Sequence, residues 1–229
     1  MMVMQWGQFL DHDISLTPEV EEHCCDTAAK EKDSMKPAEQ RSCFNIDISN
    51  DVFYKNKMDC FPFTRSTGTC INHGKREQLN KLTAFIDGNM VYGSDKSRSN
   101  SLRTMSGGLL KTHTLGPTLP SNSQAGNVDE DKCAEDLVAG DVRAHETPGL
   151  SALHSLFLLE HNRLATYYKT QDPTLTDEEL FQRARRVVIA EIQQVTFMEF
   201  LPLVLGQNTM EKYHLSLPSS HTGRPPPFI

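Results

Sequence analysis

Between Gln8 and Asp13 the chain sets an amide, an imidazole and two carboxylates within about two helical turns, in the run Met4-Gln5-Trp6-Gly7-Gln8-Phe9-Leu10-Asp11-His12-Asp13. On a helix, Gln8 and His12 lie one above the other with Asp11 beside them. Asp13 is turned roughly 100° away from His12 and faces elsewhere. One short helix can therefore serve two sites, one on each side. An imidazole with a reference pKa near ~6.5 suits proton transfer around neutral pH. A second string, Ala139-Gly140-Asp141-Val142-Arg143-Ala144-His145-Glu146, carries a guanidinium that stays charged when desolvated. A third, Thr83-Ala84-Phe85-Ile86-Asp87-Gly88-Asn89, offers oxygens at alternate positions, as a hard divalent cation requires.

The elements that must position these groups read as mostly helical. Val3, Trp6, Phe9 and Leu10 follow the helical period, which predicts a helix over 2–13. Residues 17–78 are loop-like, polar and cysteine-rich. Residues 79–94 form a compact apolar segment broken by Asp-Gly-Asn, and 97–103 suit a short helix. From Ser106 to Cys133 the Gly, Pro, Ser and Asn content marks turns. Thr147 then suits an N-cap and Pro148 a first helical position. Leu150, Leu153, Phe157, Leu158, His161, Leu164 and Tyr168 recur at the helical period until Asp172-Pro173 ends it. A capping box at Thr176–Glu179 opens another helix towards Leu201-Pro202. Residues 201–210 read as core, and Ser219–Ile229 as an extended, proline-rich end. The expectation is a mainly α domain with long, disulfide-braced loops over 1–214, a tail over 215–229, and barely any sheet.

Composition narrows the function classes. The chain has 229 residues and a net charge of −7, with no basic patch, which argues against nucleic acid. Its most basic cluster, Arg183-Ala184-Arg185-Arg186, reads as a solvated helix face. No apolar run approaches the ~20 residues needed to cross a bilayer, and no secretory signal opens the chain. Five of six cysteines (Cys24, Cys25, Cys43, Cys60, Cys70) cluster in the polar stretch, without the repeated CxxC pairs of a zinc site; Cys133 stands alone. This usage points to a disulfide-braced loop in an oxidising compartment, with the connectivity open. No Asn-x-Ser/Thr acceptor occurs.

The Trp-Gly-Gln-x-x-Asp-His-Asp string, joined by Ala-Gly-Asp-x-Arg-x-x-Glu, resembles the animal haem peroxidases, the family of myeloperoxidase, thyroid peroxidase and peroxidasin. The resemblance covers roughly residues 1–214. It implies His12 as the distal base, Arg143 as the cation beside it, and Gln8 at the position that holds distal water or a halide. It implies Asp11 and Glu146 as carboxylates able to form ester links to haem b. Thr147 stands where myeloperoxidase carries a methionine, so a sulfonium link is not expected. Asp13, Thr83, the Phe85 carbonyl, Asp87 and Asn89 are the implied calcium ligands, Asn89 replacing a frequent serine. The implied activity is hydrogen peroxide-dependent oxidation of halide or phenolic donors by a secreted enzyme, whose partners are peroxide and a small electron donor, without nucleic acid or membrane. Neither His214 nor His221 sits in the family's proximal motif, so the resemblance implies a partial chain lacking the proximal half. The alternatives are a truncated, non-catalytic fragment that binds calcium or a partner, or a plain extracellular disulfide-braced module.

Overall fold

The computed structural model describes residues 2–18, 24–26, 34–35, 41–54, 57–72, 75–114, 116, 118–121 and 137–215. Cys133, the Cys70 side chain, His221 and the tail beyond Leu215 lie outside the described residues. The chain forms two compact units, one from Met1–Ile14 with Thr83–Ile229 and the other from Ser15–Leu82.

The first unit is helical: α1 (Met2–Ile14), the short α2 (Asn89–Tyr92) and α3 (Lys96–Leu102), the long α4 (Pro148–Gln171) and α5 (Asp177–Val195), a π-helical turn (Thr196–Phe200), α6 (Leu201–Leu205) and α7 (Gln207–Lys212). The expected caps are present. Thr147 accepts from Leu150 N with Pro148 opening α4, and Asp172 ends it. Thr176 and Glu179 form a reciprocal capping box on α5. Both orphan N–H groups there are satisfied by side chains, so Thr176→Ala is expected to cost about 1 kcal/mol. The measurement is the urea midpoint at unchanged slope.

The core lies between α4 and α5 and receives α1. Phe9 stacks on Phe157 at 5.4 Å and meets the edge of His154 at 5.0 Å. Trp6 packs beside them and donates its indole N–H to Thr196 Oγ1. From the α5 side come Phe181, Ala184, Val188 and Ile192, all buried. Tyr92 and His161 form a buried pair. The Gly108 carbonyl can only accept, so His161 Nε2 carries the proton and Nδ1 accepts from the Tyr92 hydroxyl at 2.9 Å. His161 is thus a structural side chain of a packed helix.

Three expectations need correction. The basic cluster is not a uniformly solvated face: Arg185 lies over the Tyr92 ring at 5.3 Å, between Arg183 and Arg186, which are exposed. The 201–210 segment is core only at Met210, whereas Leu203, Val204 and Leu205 are exposed. Helix α6 touches the π-turn and α7, and no further layer covers it among the described residues. The helical run Asp177–Leu205 contains an 18-residue stretch of mean hydropathy 1.5, enough by length and composition to cross a membrane. An uninterrupted apolar run is absent because Glu191 and Glu199 interrupt it. Phe181, Ala184, Val188 and Ile192 of this run face α4, while only 17% of the 18-residue stretch is buried.

The second unit holds two small antiparallel sheets. β1 (Ile46–Asp47) pairs with β2 (Cys60–Phe61), and β3 (Gly68–Asn72) with β4 (Lys75–Gln78). Disulfides join Cys24 to Cys43 and Cys25 to Cys60. Two neighbouring cysteines therefore clamp two separate points of a stretch with little apolar core. Loop closure of this kind restricts the unfolded chain and substitutes for burial in small polar units.

Candidate active site

Helix α1 buries both His12 and Asp13, yet sends them to different neighbours. Their side chains leave the axis about 100° apart. On the His12 side, the 139–147 segment folds against α2. Asp141 N donates to Met90 O, and a Cβ on Gly140 would collide with the backbone of Asn89, Met90 and Gly93. Only glycine lets the two segments approach so closely.

That approach delivers Asp141 and Arg143 to the imidazole. Asp141 Oδ1 lies 3.9 Å from His12 Nδ1. Arg143 binds Asp141 through Nε and Nη2, each at 2.8 Å, and through its own backbone N–H. Its Nη2 also reaches the His12 carbonyl at 3.5 Å. The guanidinium is thus fixed by a fork and a turn together. Burial would raise the Asp141 carboxyl, but the Arg143 hydrogen bonds outweigh it and hold it below the usual range. His12 is pushed down from its ordinary value, first by burial and then by the Arg143 charge, despite Asp141, Glu146 and Asp11 nearby. The result is a neutral imidazole next to a permanent cation. Its Nδ1 is buried with no hydrogen-bond partner.

At the mouth, Gln8 Nε2 donates to Glu146 Oε2 at 3.0 Å, and the same carboxylate oxygen is 3.8 Å from His12 Nε2. Glu146 is partly exposed and Asp11 is exposed. Next to Glu146, Thr147 donates to Gln5 Oε1, so the α4 cap is tied to α1. The structure thus places Gln8 and Glu146 on the Nε2 side of His12, and Asp141 with Arg143 on its Nδ1 side. Two participants carry no clear sequence signal. Asp141 is visible only as the aspartate two residues before the arginine. His154, nearly two turns into α4, is buried with both ring nitrogens unpaired, and burial pushes it down to about 4.

On the other face, Asp13 accepts from Gly88 N at 3.2 Å, and the Asn89 amide nitrogen reaches Asp13, Thr83 and Asp87. Gly88 takes φ +71, a left-handed conformation that suits glycine. Burial, with Asp87 nearby, pushes the Asp13 carboxyl up to about 7 against its backbone hydrogen bonds. The Phe85 carbonyl instead accepts from Asp87 N within the turn, and the Phe85 ring is exposed. His214 stands after α7 with φ +53.

The first unit thus holds a buried imidazole, a guanidinium locked by a carboxylate, and two exposed carboxylates nearby. The sequence profile of the animal haem peroxidases matches residues 1–226, and the chain belongs to that family. It is 39% identical to human (Homo sapiens) myeloperoxidase over 93% of its own length and 30% of that protein's. It is 33% identical to peroxidasin of Drosophila melanogaster over 92% of its length and 15% of that protein's. Among solved structures, peroxidase A from Dictyostelium discoideum superimposes with a TM-score of 0.66 at 28% identity, covering 88% of this chain and 40% of that one. The chain therefore spans about a third of the first of these relatives.

Proposed function

We propose that this chain forms the distal side of a peroxidase site that binds haem b and reduces hydrogen peroxide, drawing electrons from a halide or phenolic donor. The observation that carries this reading is the placement of neutral His12 beside an Arg143 that Asp141 cannot release. A bound haem would supply the iron that takes peroxide and accepts the oxidising equivalents. His12 Nε2 takes the proton from one peroxide oxygen and returns it to the other, which leaves as water. Arg143 stabilises the negative charge that develops on the departing oxygen. Asp141 holds the guanidinium, and Gln8 orients water or a halide at the mouth. Asp11 and Glu146, exposed carboxylates near His12, are the groups for ester links to the haem edge. The two disulfides fit an oxidising, extracellular setting.

A second role for the same helix is calcium binding by Asp13, Thr83, the Phe85 carbonyl, Asp87 and Asn89. It is favoured by two buried or half-buried carboxylates that share one neutral amide. A cation there would pin α1 and fix the His12 orientation.

Haem b titrated into the chain, alone and within a polypeptide of its relatives' length, is expected to give a Soret band and peroxide-dependent donor oxidation in at least the longer form. Absence of both signals from both forms would overturn the reading.

A further inference from the structure

The Asn89 side chain is buried, and its Nδ2 faces four oxygens: the Asp13 backbone carbonyl, Asp13 Oδ1 at 2.8 Å, Thr83 Oγ1 at 3.0 Å and Asp87 Oδ1 at 3.2 Å. An amide NH2 has two hydrogens and cannot satisfy four acceptors at once. Four converging oxygens, two of them from carboxylates, describe the surroundings of a hard cation better than those of an amide. With no cation present, the NH2 is the end of the amide that can face these acceptors. Its Oδ1 is turned away from the cage and accepts from Ser94 Oγ at 3.2 Å.

We infer that the Asn89 amide is a built-in competitor for the cation, occupying the oxygen cage when no ion is bound and turning over to admit one. The inference rests on the calcium reading above. With the NH2 inward, Asn89 ties Asp13 of α1 to the Thr83–Asp87 loop without metal. A cation cannot share the cage with that NH2. To bind, it must drive a half-turn about the Cβ–Cγ bond, which brings Oδ1 inward as a ligand and turns the NH2 towards Ser94 Oγ, a hydroxyl that can accept as well as donate. The lost amide contacts are subtracted from the affinity. A serine at this position has no NH2 to fill the cage, so its ion-free state keeps two carboxylates with nothing between them. Asn89 therefore gives this chain a helix junction that tolerates the loss of calcium, and a correspondingly weaker site.

The test is calcium titration by calorimetry on the chelator-stripped chain, comparing wild type, Asn89→Ser and Ser94→Ala, with melting temperatures in chelator and in calcium. Asn89→Ser is expected to bind calcium at least ~10-fold tighter than wild type, because its empty cage is electrostatically unfavourable. Ser94→Ala, an exposed change, is expected to leave the affinity nearly unchanged, because its hydroxyl can serve either end of the amide. Chelator is expected to lower the melting temperature of Asn89→Ser more than that of wild type. In wild type, the Asn89 side-chain amide NMR signals are expected to move when calcium binds. Equal affinities in wild type and Asn89→Ser, or amide signals that stay in place on calcium binding, would overturn the competitor while leaving calcium binding intact. No calcium binding in any of the three proteins would overturn both.

Discussion

Replacing His12 by alanine in the haem-loaded protein is expected to slow peroxide cleavage by about 10²–10⁴-fold, the range a positioned general base contributes. Arg143→Ala is expected to lose about 10²–10³-fold, since in the proposed mechanism it removes the charge that meets the developing anion. Arg143→Lys is expected to recover little. Asp141 accepts from both Nε and Nη2, and an ammonium cannot reproduce that fork. The measurement is stopped-flow peroxide cleavage with haem content fixed by the Soret band. Unchanged rates in both alanine variants would remove the catalytic assignments.

Acid is expected to unfold this domain through its interior histidines. Burial pushes His154 and His161 down to about 4 from 6.5, so both are neutral when folded at pH 7. Between those values the unfolded chain binds more protons than the folded one. Stability is therefore complete above about pH 6.5 and falls as pH drops towards 4, by about 3 kcal/mol per histidine. Asp13 works in the opposite direction over nearly the same window, because its raised carboxyl binds a proton more readily when folded. A comparison of wild type with His154→Leu cancels that contribution. The leucine variant is expected to gain about 3 kcal/mol relative to wild type on acidification from pH 7 to 4, read from urea midpoints. A constant difference across that range would show that His154 is not held neutral. His154 is well suited to the comparison because neither of its nitrogens has a hydrogen-bond partner to lose.

The helices were legible because their ends carry local chemistry. Thr147-Pro148 and the Thr176–Glu179 box fix two starts to within a residue, since capping depends on side chains one turn away. The 3.6-residue period of α1 alone separates His12 from Asp13, without any tertiary contact. The second unit was less legible. Its two-residue strands have no room for alternation, and cysteine spacing does not encode which sulfurs meet. Asp141 was missed because its role exists only after Gly140 has let the segment close onto α2. His154 was missed because an imidazole at a core helical position looks like any other amphipathic residue. The inward-facing Asn89 nitrogen answers oxygens of Asp13, Thr83 and Asp87 that only the fold gathers, and no composition or period reports it.

The π-helical turn at Thr196–Phe200 has one further effect. A π-turn holds an extra residue for the same advance along the axis, which re-phases everything after it by about 100°. Upstream, the stripe ending at Ile192 looks inward; downstream, Leu203, which an unbroken α-helix would put on the same face, is turned off it and exposed. One continuous rod thus presents greasy surface to two different neighbourhoods, and Thr196 sits at the changeover. It returns its hydroxyl to Ile192 O while taking the Trp6 indole proton. The helix that carries the imidazole is therefore latched to the place where the rod changes face.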